Sequence, residues 1–424
     1  MEALILFGAF FILMLMSVPI GYAIGIATLI GIFTSSNLPL VSIAQNAITG
    51  VDSFPLMAVP FFMLAGNLMS TGGIAKRLVN FANMLFGKIT GGLAIVTTVS
   101  CMFYAALSGS AIATTSGVGS FMIPAMEKQG YDKGFAASLS AAAGSIGVII
   151  PPSIPFVIYG VTVGSSIGEL FIAGIIPGIM MGVALIIVSY FYSKVHGYGT
   201  IKTEEKITVK DVWTSFLNAF WALLMPVIIL GGIYSGIFTP TESAVVAVVY
   251  CIFISVFVYK EMKLKDIYEA FRTTMVVNGI TTFMVAFSTV FAVYLNIQHI
   301  PSLIANWLLA ITSNQIVLFL LINIFLLFVG CFIDNIPATI ILAPILLPVV
   351  KSLGMSTTTF GIMLTMNLAI GFVTPPYGIN LFVASAIADV SIGRMLKSIL
   401  VCLFALLVVL MLITYVPWFT QCLV

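Results

Sequence analysis

Long apolar stretches recur along the whole chain, and their lengths predict membrane-spanning helices. The stretches 171–193, 216–235 and 399–416 approach or exceed the roughly 20 residues that a helix needs to cross a bilayer. Similar runs continue from one end of the sequence to the other. We therefore expect an all-α polytopic membrane protein, with neither a cleavable signal nor a separate soluble domain.

The predicted elements follow the same order in both halves of the chain. In the first half, three spans precede an amphipathic stretch, near 3–17, 20–36, 53–70 and then 73–87. In the second half, the same order is found near 218–236, 243–259, 273–295 and then 300–312. Residues 3–33 are long for one crossing and short for two, and the comparison of the halves favours two, with the N-terminus outside.

An internal repeat explains this order. Shifting the chain by 224 positions, from Pro124 to Pro348, aligns six identical residues, five of them Gly or Pro. Gly and Pro are placed by backbone shape more than by hydrophobicity, so these matches indicate a repeated fold. The other matched positions are Gly130 with Gly354, Ile146-Gly147 with Ile370-Gly371, and Pro151-Pro152 with Pro375-Pro376.

The distribution of charged residues predicts the orientation of the two copies. Lys and Arg concentrate in the loops 194–215 and 260–272, which the positive-inside rule places in the cytoplasm. Residues 127–133 carry four charges in the first copy, whereas the equivalent residues 351–357 carry one. The first segment is then inside and the second outside, so we expect two inverted-topology repeats, as in many secondary transporters.

Each copy contains a predicted re-entrant helical hairpin. Residues 93–124 begin and end beside cytoplasmic loops, and residues 315–349 begin and end outside. Each arm is too short to cross the membrane, and such backbone is tolerated only where it is buried in protein or lines a cavity. The polar tips are Ser108-Gly109-Ser110-Ala111 and Asp334-Asn335-Ile336-Pro337.

A Pro-Pro pair breaks the helix that follows each hairpin. Pro151-Pro152 and Pro375-Pro376 cannot stay inside a regular helix, because each proline removes an amide donor and crowds a carbonyl. For one pair alone, a packing kink is the alternative; two matched pairs favour a functional break. Carbonyl, Ser, Thr and Asn oxygens in such breaks suit Na⁺, and half-helix N-termini suit a carboxylate.

Asp334 is the strongest single candidate because it is an acid inside an apolar run. An ionisable group within the membrane is costly and is functional by default. The alternative is a structural carboxylate that caps the second arm of its hairpin. Ser108, Ser110, Thr114 and Thr115 are either ligands or hydrogen-bond links between helices.

The amino-acid composition further restricts the partners and sites that the protein can have. The chain has 424 residues, of which 61% are hydrophobic and 7% charged, against about 25% charged in soluble proteins. The net charge of +2 is spread over short loops, so no nucleic-acid partner is expected. Five isolated cysteines predict buried, inert thiols rather than a metal or redox site. Glu242, after Thr239 and Pro240, indicates a helix N-terminus.

Taken together, these motifs resemble the large membrane (M) subunit of tripartite ATP-independent periplasmic (TRAP) transporters, of the sialic-acid or C4-dicarboxylate type. The resemblance covers essentially the whole chain. It is carried by the segments Gly236-Ile237-Phe238-Thr239-Pro240-Thr241-Glu242-Ser243-Ala244, Ser108-Gly109-Ser110, Ile150-Pro151-Pro152-Ser153, Asp334-Asn335 and Thr374-Pro375-Pro376-Tyr377-Gly378-Ile379-Asn380.

The resemblance implies a protein of the bacterial inner (cytoplasmic) membrane that works with two partners. One is a small four-helix membrane subunit (Q type), and the other is a periplasmic substrate-binding protein (P type) that delivers the solute. A Na⁺ gradient would drive uptake, without ATP and without a cofactor, through an elevator movement of the hairpins and broken helices. The solute would be an organic acid, with sialic acid favoured and a C4-dicarboxylate or sugar acid next.

The resemblance also implies a division of the chain into scaffold and transport parts, and a set of residues that bind the solute and Na⁺. The predicted parts are scaffold 1–90 and 171–314, transport domain 91–170 and 315–395, and a C-terminal helix 396–424. The expected solute-binding residues are Ser108, Ser110, Ser153, Asp334, Asn335 and Asn380. Na⁺ would be held through Ser108, Gly109, Gly147 and Pro151 in the first copy, and Asp334, Gly371, Thr374 and Pro375 in the second.

Other functions are tested against the same residues. An ion channel or a stand-alone Na⁺/carboxylate symporter would share the membrane fold but need no binding protein. A membrane-embedded aspartyl protease would need a second intramembrane Asp beside Asp334. The other Asp residues lie at or near predicted loop ends, namely Asp52, Asp132, Asp211, Asp266 and Asp389. We therefore expect neither an enzyme nor any catalytic residue.

Overall fold

The computed structural model describes residues 2–35, 39–199, 209–312 and 314–424, which form helices joined by short turns. The first half of the chain contains α1 (Glu2–Leu15), α2 (Ile20–Ser35), α3 (Val41–Val51), α4 (Ala58–Thr71), α5 (Ile74–Phe86), α6 (Gly92–Ser108), α7 (Ala111–Lys128), α8 (Lys133–Gly144), α9 (Ile154–Val163) and α10 (Ile167–His196). The second half contains α11 (Val209–Tyr234), α12 (Pro240–Phe253), α13 (Leu264–Ile297), α14 (Ile300–Ile311), α15 (Gln315–Phe332), α16 (Asn335–Ser352), α17 (Thr357–Gly371), α18 (Ile379–Ala388), α19 (Ile392–Tyr415) and α20 (Trp418–Gln421).

The prediction of an all-α, multi-pass membrane fold is confirmed. Among the described residues, eight helical segments are long and apolar enough to cross a membrane. Two of them are the arms of the second hairpin, α15 and α16, so the prediction that these arms are too short to cross is wrong, because each has 18 residues. The longest are α13, with 34 residues, and α10, with 30. The amphipathic stretches predicted at 73–87 and 300–312 are the helices α5 and α14. Residues 200–208 of the predicted loop 194–215 lie outside the described residues.

The N-terminal region contains two helices, as the comparison of the halves favoured. α1 and α2 pack against each other and are separated by a turn in which Ser17 has a left-handed backbone. The helix α3 was not predicted from the sequence. It is 11 residues long and none of its residues is buried, so its apolar pattern is too short to stand out as a span.

The repeat found in the sequence recurs as a repeat of helices. The second hairpin arms α7 and α16 begin and end 224 positions apart, and both breaks contain a cis Pro-Pro peptide, at 151–152 and 375–376. Gly130 and Gly354, in the turns after those arms, have the same left-handed φ of 82°. The element order of the two copies therefore agrees, whereas their opposite sense across the membrane stays a prediction.

The two copies interlock around the hairpins. The second arm of hairpin 1, α7, packs against α18, the half-helix after the break of the second copy. Reciprocally, the second arm of hairpin 2, α16, packs against α9, the half-helix after the break of the first copy. This exchange places both tips and both breaks in one body. Outside it, α13 packs against α2, α3 and α4, and α12 packs against α4.

Glu242 has the structural role indicated by the sequence. The Thr239 side chain accepts a hydrogen bond from the Glu242 N–H at 3.3 Å, and a Glu242 carboxylate oxygen accepts from the Thr239 N–H at 2.8 Å. This capping box satisfies two free donors at the start of α12.

The prediction for the cysteines is confirmed for four thiols and wrong for the fifth. Cys101, Cys251, Cys331 and Cys402 are buried, whereas Cys422 is exposed. Cys422 follows the short helix α20 at the surface, where the apolar neighbours that suggested burial are themselves exposed.

Asp132 connects the two copies through an ion pair. Its carboxylate caps α8 by accepting from the Phe135 N–H at 3.1 Å and accepts from the Arg394 guanidinium, at the start of α19, at 2.7 Å. Next to it, the Ser138 hydroxyl donates to the Met395 carbonyl at 3.0 Å. Partial burial raises the pKa of Asp132, but the hydrogen bond and charge of Arg394 and the amide donors outweigh it and hold that pKa below its usual range.

We expect the Asp132→Asn variant to be less stable than the parent at neutral pH. A carboxyl whose pKa is lowered by folding stabilises the fold above its unfolded pKa of about 4 and loses this contribution as pH falls through the folded pKa. The effect is at most about 1 kcal/mol because the pair is partly exposed. Melting temperatures of parent and variant should therefore differ at pH 7 and converge below pH 4. The exposed Glu269–Arg272 pair is the control, and Arg272→Gln should show no such difference. A parent–variant gap that does not shrink as the pH falls below about 4 would contradict the role of the charge.

Candidate functional site

The first hairpin tip is held by its own hydroxyl groups. Ser108 is the last residue of α6, Gly109 makes the turn with φ of 61°, and Ser110 caps α7. The Ser108 and Thr114 hydroxyls lie 2.9 Å apart, and the Thr114 hydroxyl donates to the Ser110 carbonyl at 2.8 Å. Of the two threonines considered from the sequence, Thr114 therefore belongs to the tip.

The first break lies directly against this tip. After a 3₁₀ turn at Ser145–Val148 the chain unwinds, and α9 begins after Ser153. The Ser153 hydroxyl donates to the Val148 carbonyl at 2.6 Å, and the Ile154 N–H donates to the Gly109 carbonyl at 3.2 Å. These bonds bring the tip and the break into contact.

Gly147 also lies at the contact between the first hairpin tip and the first break. A methyl group at Gly147 would lie 2.6 Å from the Ser110 carbonyl oxygen and would overlap the Thr114 hydroxyl. A methyl group at Gly109 would similarly lie 2.8 Å from the Pro152 carbonyl oxygen. The structure thus brings together all the residues that the sequence assigned to the first copy: Ser108, Gly109, Ser110, Gly147, Pro151 and Ser153.

The second hairpin tip carries a charge instead of a second serine. Asp334 caps α16, and its carboxylate accepts from the Asn335 N–H at 2.6 Å. The Asn335 side chain is buried; it donates to the Thr365 carbonyl of α17 at 3.5 Å and accepts from the Thr339 hydroxyl at 3.0 Å. Within the described part of the chain, no Lys or Arg side chain pairs with Asp334. The half-buried carboxylate is therefore open to a cation.

The second break is more exposed than the first. Residues 151–153 are buried, whereas Pro376 and Tyr377 are exposed. Thr374 donates its hydroxyl to the Ile370 carbonyl at 2.8 Å, in the last turn of α17. Gly371 lies so close to Gly330 of α15 that a methyl group would overlap the Gly330 backbone. The end of α17, directly before the break, is therefore packed against the first arm of its own hairpin.

Asn380 crosses between the copies. Its amide nitrogen donates to the Ala141 carbonyl of α8 at 3.3 Å, and its backbone N–H donates to the Phe372 carbonyl at 3.0 Å. Its amide oxygen is buried and has no hydrogen-bond partner. A buried acceptor without a partner is costly, so this oxygen fits a ligand or water. The two tips, by contrast, bond within their own copies, the first to its break and the second to the Thr365 carbonyl of α17.

Sequence reasoning missed a buried amide network behind the second break. The Asn367 side chain of α17 donates to the Asn323 amide oxygen at 2.7 Å, and Asn323 donates to the Thr414 hydroxyl at 3.2 Å. The Asn367 amide oxygen and the Thr365 hydroxyl are buried without a partner. The signal was present as isolated polar residues in apolar runs, but the partners are 44 and 91 positions apart in the sequence. This network ties the second hairpin, the second broken helix and the C-terminal helix together.

The donor set fits a hard monovalent cation better than a transition metal. The groups at both tips are hydroxyl, carbonyl and carboxylate oxygens, which alkali and alkaline-earth cations prefer. Over the described ranges, His, Cys, Asp and Glu do not form a group of three that could hold a metal ion. An unpaired carboxylate at one tip and an unpartnered amide oxygen at Asn380 are positions where such a cation would find oxygen ligands.

Comparisons of the sequence with known proteins agree on one protein family. The family model described as "Tripartite ATP-independent periplasmic transporter, DctM component" matches residues 7–419. The isethionate TRAP transporter permease protein DctMQ of Oleidesulfovibrio alaskensis is 44% identical over 415 residues, covering 97% of this chain and 65% of that protein. This chain thus spans about two thirds of that relative's length.

Two further relatives match along nearly their whole length. The C4-dicarboxylate TRAP transporter large permease protein DctM of Rhodobacter capsulatus is 37% identical, covering 98% of this chain and 97% of that protein. The sialic acid TRAP transporter large permease protein SiaM of Vibrio cholerae is 39% identical, covering 96% and 95%. The crystal structure of the YdaH transporter of Alcanivorax borkumensis shares the fold, with a TM-score of 0.63, 15% identity and 91% coverage of both chains.

Proposed function

Because this chain belongs to the DctM component family of tripartite ATP-independent periplasmic transporters, we propose that it takes up an organic acid with Na⁺ across the bacterial inner membrane. A small four-helix membrane subunit would complete the membrane part, and a periplasmic substrate-binding protein would deliver the solute. The observation that carries this proposal is a polar hairpin tip beside a broken helix in each copy. In the first copy the Ile154 N–H donates to the Gly109 carbonyl, and in the second copy the Asn335 side chain donates to the Thr365 carbonyl of α17.

Na⁺ would bind where each tip meets its break. In the first copy the proposed ligands are oxygens of Ser108, Gly109, Gly147 and Pro151. In the second copy they are oxygens of Asp334, Gly371, Thr374 and Pro375. Carbonyls that already accept one hydrogen bond keep a second lone pair for a cation. No site in this proposal needs another cofactor.

The solute carboxylate would bind at half-helix N-termini. Ser110, Ser153 and Asp334 each cap a helix that begins within the interlocked body. The free N–H groups and the helix dipole at these ends favour an anion. Solute binding is proposed for Ser108, Ser110, Ser153, Asp334, Asn335 and Asn380.

The position of Asp334 suggests how the ion and the solute are coupled. An unneutralised carboxylate at the start of α16 repels an anionic solute, because like charges at about 4 Å cost several kcal/mol away from bulk water. Na⁺ bound at Asp334 would remove this repulsion and leave the helix N-terminus to attract the solute. Binding of the solute would then depend on prior binding of Na⁺, which is the requirement for symport.

The names of the relatives indicate the chemical class of the solute more clearly than its identity. The relatives described above are named for isethionate, C4-dicarboxylates and sialic acid, all organic anions, at 37% to 44% identity. We keep sialic acid as the first candidate, followed by C4-dicarboxylates and sugar acids, with isethionate added. An elevator movement of the interlocked body against α12 and α13 is the proposed route across the membrane.

Uptake by reconstituted components tests this function. Proteoliposomes would hold this chain with its small membrane subunit, and the binding protein and an inward Na⁺ gradient would be added separately and together. Uptake of a labelled organic acid should require both additions. Uptake without the binding protein would instead identify a stand-alone symporter, and a solute-dependent current without Na⁺ would identify a channel.

A further inference from the structure

A groove runs beside the contact between the interlocked body and the surrounding helices, where α13 also packs directly against α16. Two adjoining cavities, of about 130 and 320 Å³, lie between α3 and α13 on one side and α9 and α16 on the other. Ser53, Leu56, Ile158 and Val285 line both cavities, so the two lie side by side along α13. We call this space the α13 groove.

One face of α13 lines the groove over most of its length. The lining residues recur every three or four positions, as expected for one face of a helix. From Asn278 to Asn296 this face extends about 27 Å at 1.5 Å per residue, close to the roughly 30 Å of a bilayer core. The lining residues of α13 are Asn278, Thr281, Thr282, Val285, Thr289, Ala292, Val293 and Asn296.

Between residues 278 and 296, polar side chains of α13 are concentrated on this face, and only Ser288 and Tyr294 lie elsewhere. Five of its eight lining residues carry an amide or a hydroxyl group. Val276 and Ile280, on another face, are exposed by 61% and 59%, as expected for residues that face lipid. Further along that same face, Phe283 and Phe287 pack against glycines of α2. Polar side chains in a lipid-spanning helix are costly unless they face protein or water.

The groove offers hydrogen bonds but no charge. The Thr281 and Thr289 hydroxyls donate to the carbonyls of Val277 and Val285, at 3.0 and 2.9 Å, which leaves their lone pairs free as acceptors. The Asn278 and Asn296 amides add donors. No charged residue of the described ranges lines either cavity. Such a surface keeps water and neither repels nor traps an anion.

The groove also reaches the parts that are proposed to carry the solute. Ile158 and Thr162 belong to α9, which begins at the first break, and Ile340 and Pro344 belong to α16, which begins at Asp334. A body that moves along α13 would therefore keep the same uncharged polar surface beside it over about the thickness of the membrane core.

We propose that the α13 groove is a hydrated path along which a small organic anion passes. The inference rests on the proposed function, because it assumes that the hairpin body carries the solute. On this view, α13 contacts the neutral hydroxyl and amide groups of the solute, whereas the half-helix N-termini hold its acid group. The polar residues of α13 are then a fixed part of the transport site.

Cysteine accessibility tests the proposal. The background is the complex with Cys422→Ser, since the other four thiols are buried. Asn278→Cys, Thr282→Cys and Thr289→Cys place a thiol in the groove, and Val276→Cys and Ile280→Cys are controls on the lipid face of the same helix. A membrane-impermeant, anionic methanethiosulfonate should modify the groove positions at least about tenfold faster than the controls, because the thiolate reacts only in water. Unreactive groove positions, or equal rates on both faces, would overturn the proposal.

A second measurement distinguishes a path that the solute follows from a water-filled gap that the solute does not enter. Modification of Thr289→Cys should block uptake, whereas exposure of Ile280→Cys to the same reagent should leave uptake unchanged. Uptake that continues after complete modification of the groove thiols would overturn the path even if they react. Failure of the unmodified complex to take up any organic acid with Na⁺ would instead refute the proposed function, so the two failures are distinguishable.

Discussion

Replacing Asp334 with Ala is expected to reduce Na⁺-driven uptake to the level of liposomes without protein. The variant removes the carboxylate that faces no Lys or Arg partner in the described structure, and with it a charged ligand of the proposed cation. An interaction with a charged group contributes about 1.5–3 kcal/mol, so Na⁺ affinity should fall by about 10- to 150-fold. The Na⁺ dependence of initial uptake rates measures this effect.

The Asp334→Asn variant separates the charge from the helix cap. Asn caps helices about as well as Asp does, so this variant should fold and pack α16 as the parent does while it still fails to take up solute. Asp389→Asn is the matched control, because Asp389 is an exposed acid at the end of α18. Normal uptake by Asp334→Asn would show that the carboxylate is only a cap and would refute its role in Na⁺ binding.

Adding a methyl group at Gly147 is expected to weaken Na⁺ binding strongly while the chain still inserts into the membrane. In Gly147→Ala the methyl group meets the Ser110 carbonyl and the Thr114 hydroxyl, which belong to the hairpin tip and cannot move independently of it. Overpacking of this kind costs about 1–3 kcal/mol, equivalent to roughly a 5- to 150-fold loss of Na⁺ affinity. Half-saturation of uptake by Na⁺ reports the change.

The second copy of the repeat allows a second test of the expectation that an added methyl group at this position impairs transport. Gly371→Ala, at the equivalent position of the second copy, would overlap the Gly330 backbone and should impair uptake at least as much as Gly147→Ala. Gly279→Ala is the control, because a methyl group there has no neighbour within 4 Å. Equal uptake by all three variants would contradict tight packing of the breaks on the tips.

Most of the architecture could be predicted because it depends on local backbone constraints. The Gly and Pro matches at a spacing of 224 locate the hairpin arms and the breaks, and the structure places α7 and α16 at that spacing. Ser110 and Ser153 are cap residues, and their positions follow from the turn that precedes each helix. Local chemistry was therefore sufficient to locate the tip and the break of the first copy, whereas the bond that joins them, from the Ile154 N–H to the Gly109 carbonyl, connects distant residues.

Features that depend on distant partners could not be predicted. The contact between Asn380 and the Ala141 carbonyl joins residues 239 positions apart, and nothing near Asn380 in the sequence indicates it. The greater exposure of the second break, at Pro376 and Tyr377, depends on how the helices pack around it. The polar face of α13 was hidden because α13 was predicted as one apolar span, 273–295, and its polar residues are spread over about five turns.

Direct measurement of Na⁺ binding to the purified complex tests the central claim, that the tips and breaks hold Na⁺. The melting temperature would be followed as NaCl replaces choline chloride at constant ionic strength, because a ligand that binds the folded state raises stability with its concentration. We predict a rise with Na⁺ but not with choline, diminished in Asp334→Asn and Gly147→Ala and intact in Gly279→Ala. An absence of any Na⁺-specific rise in the parent complex would contradict the account.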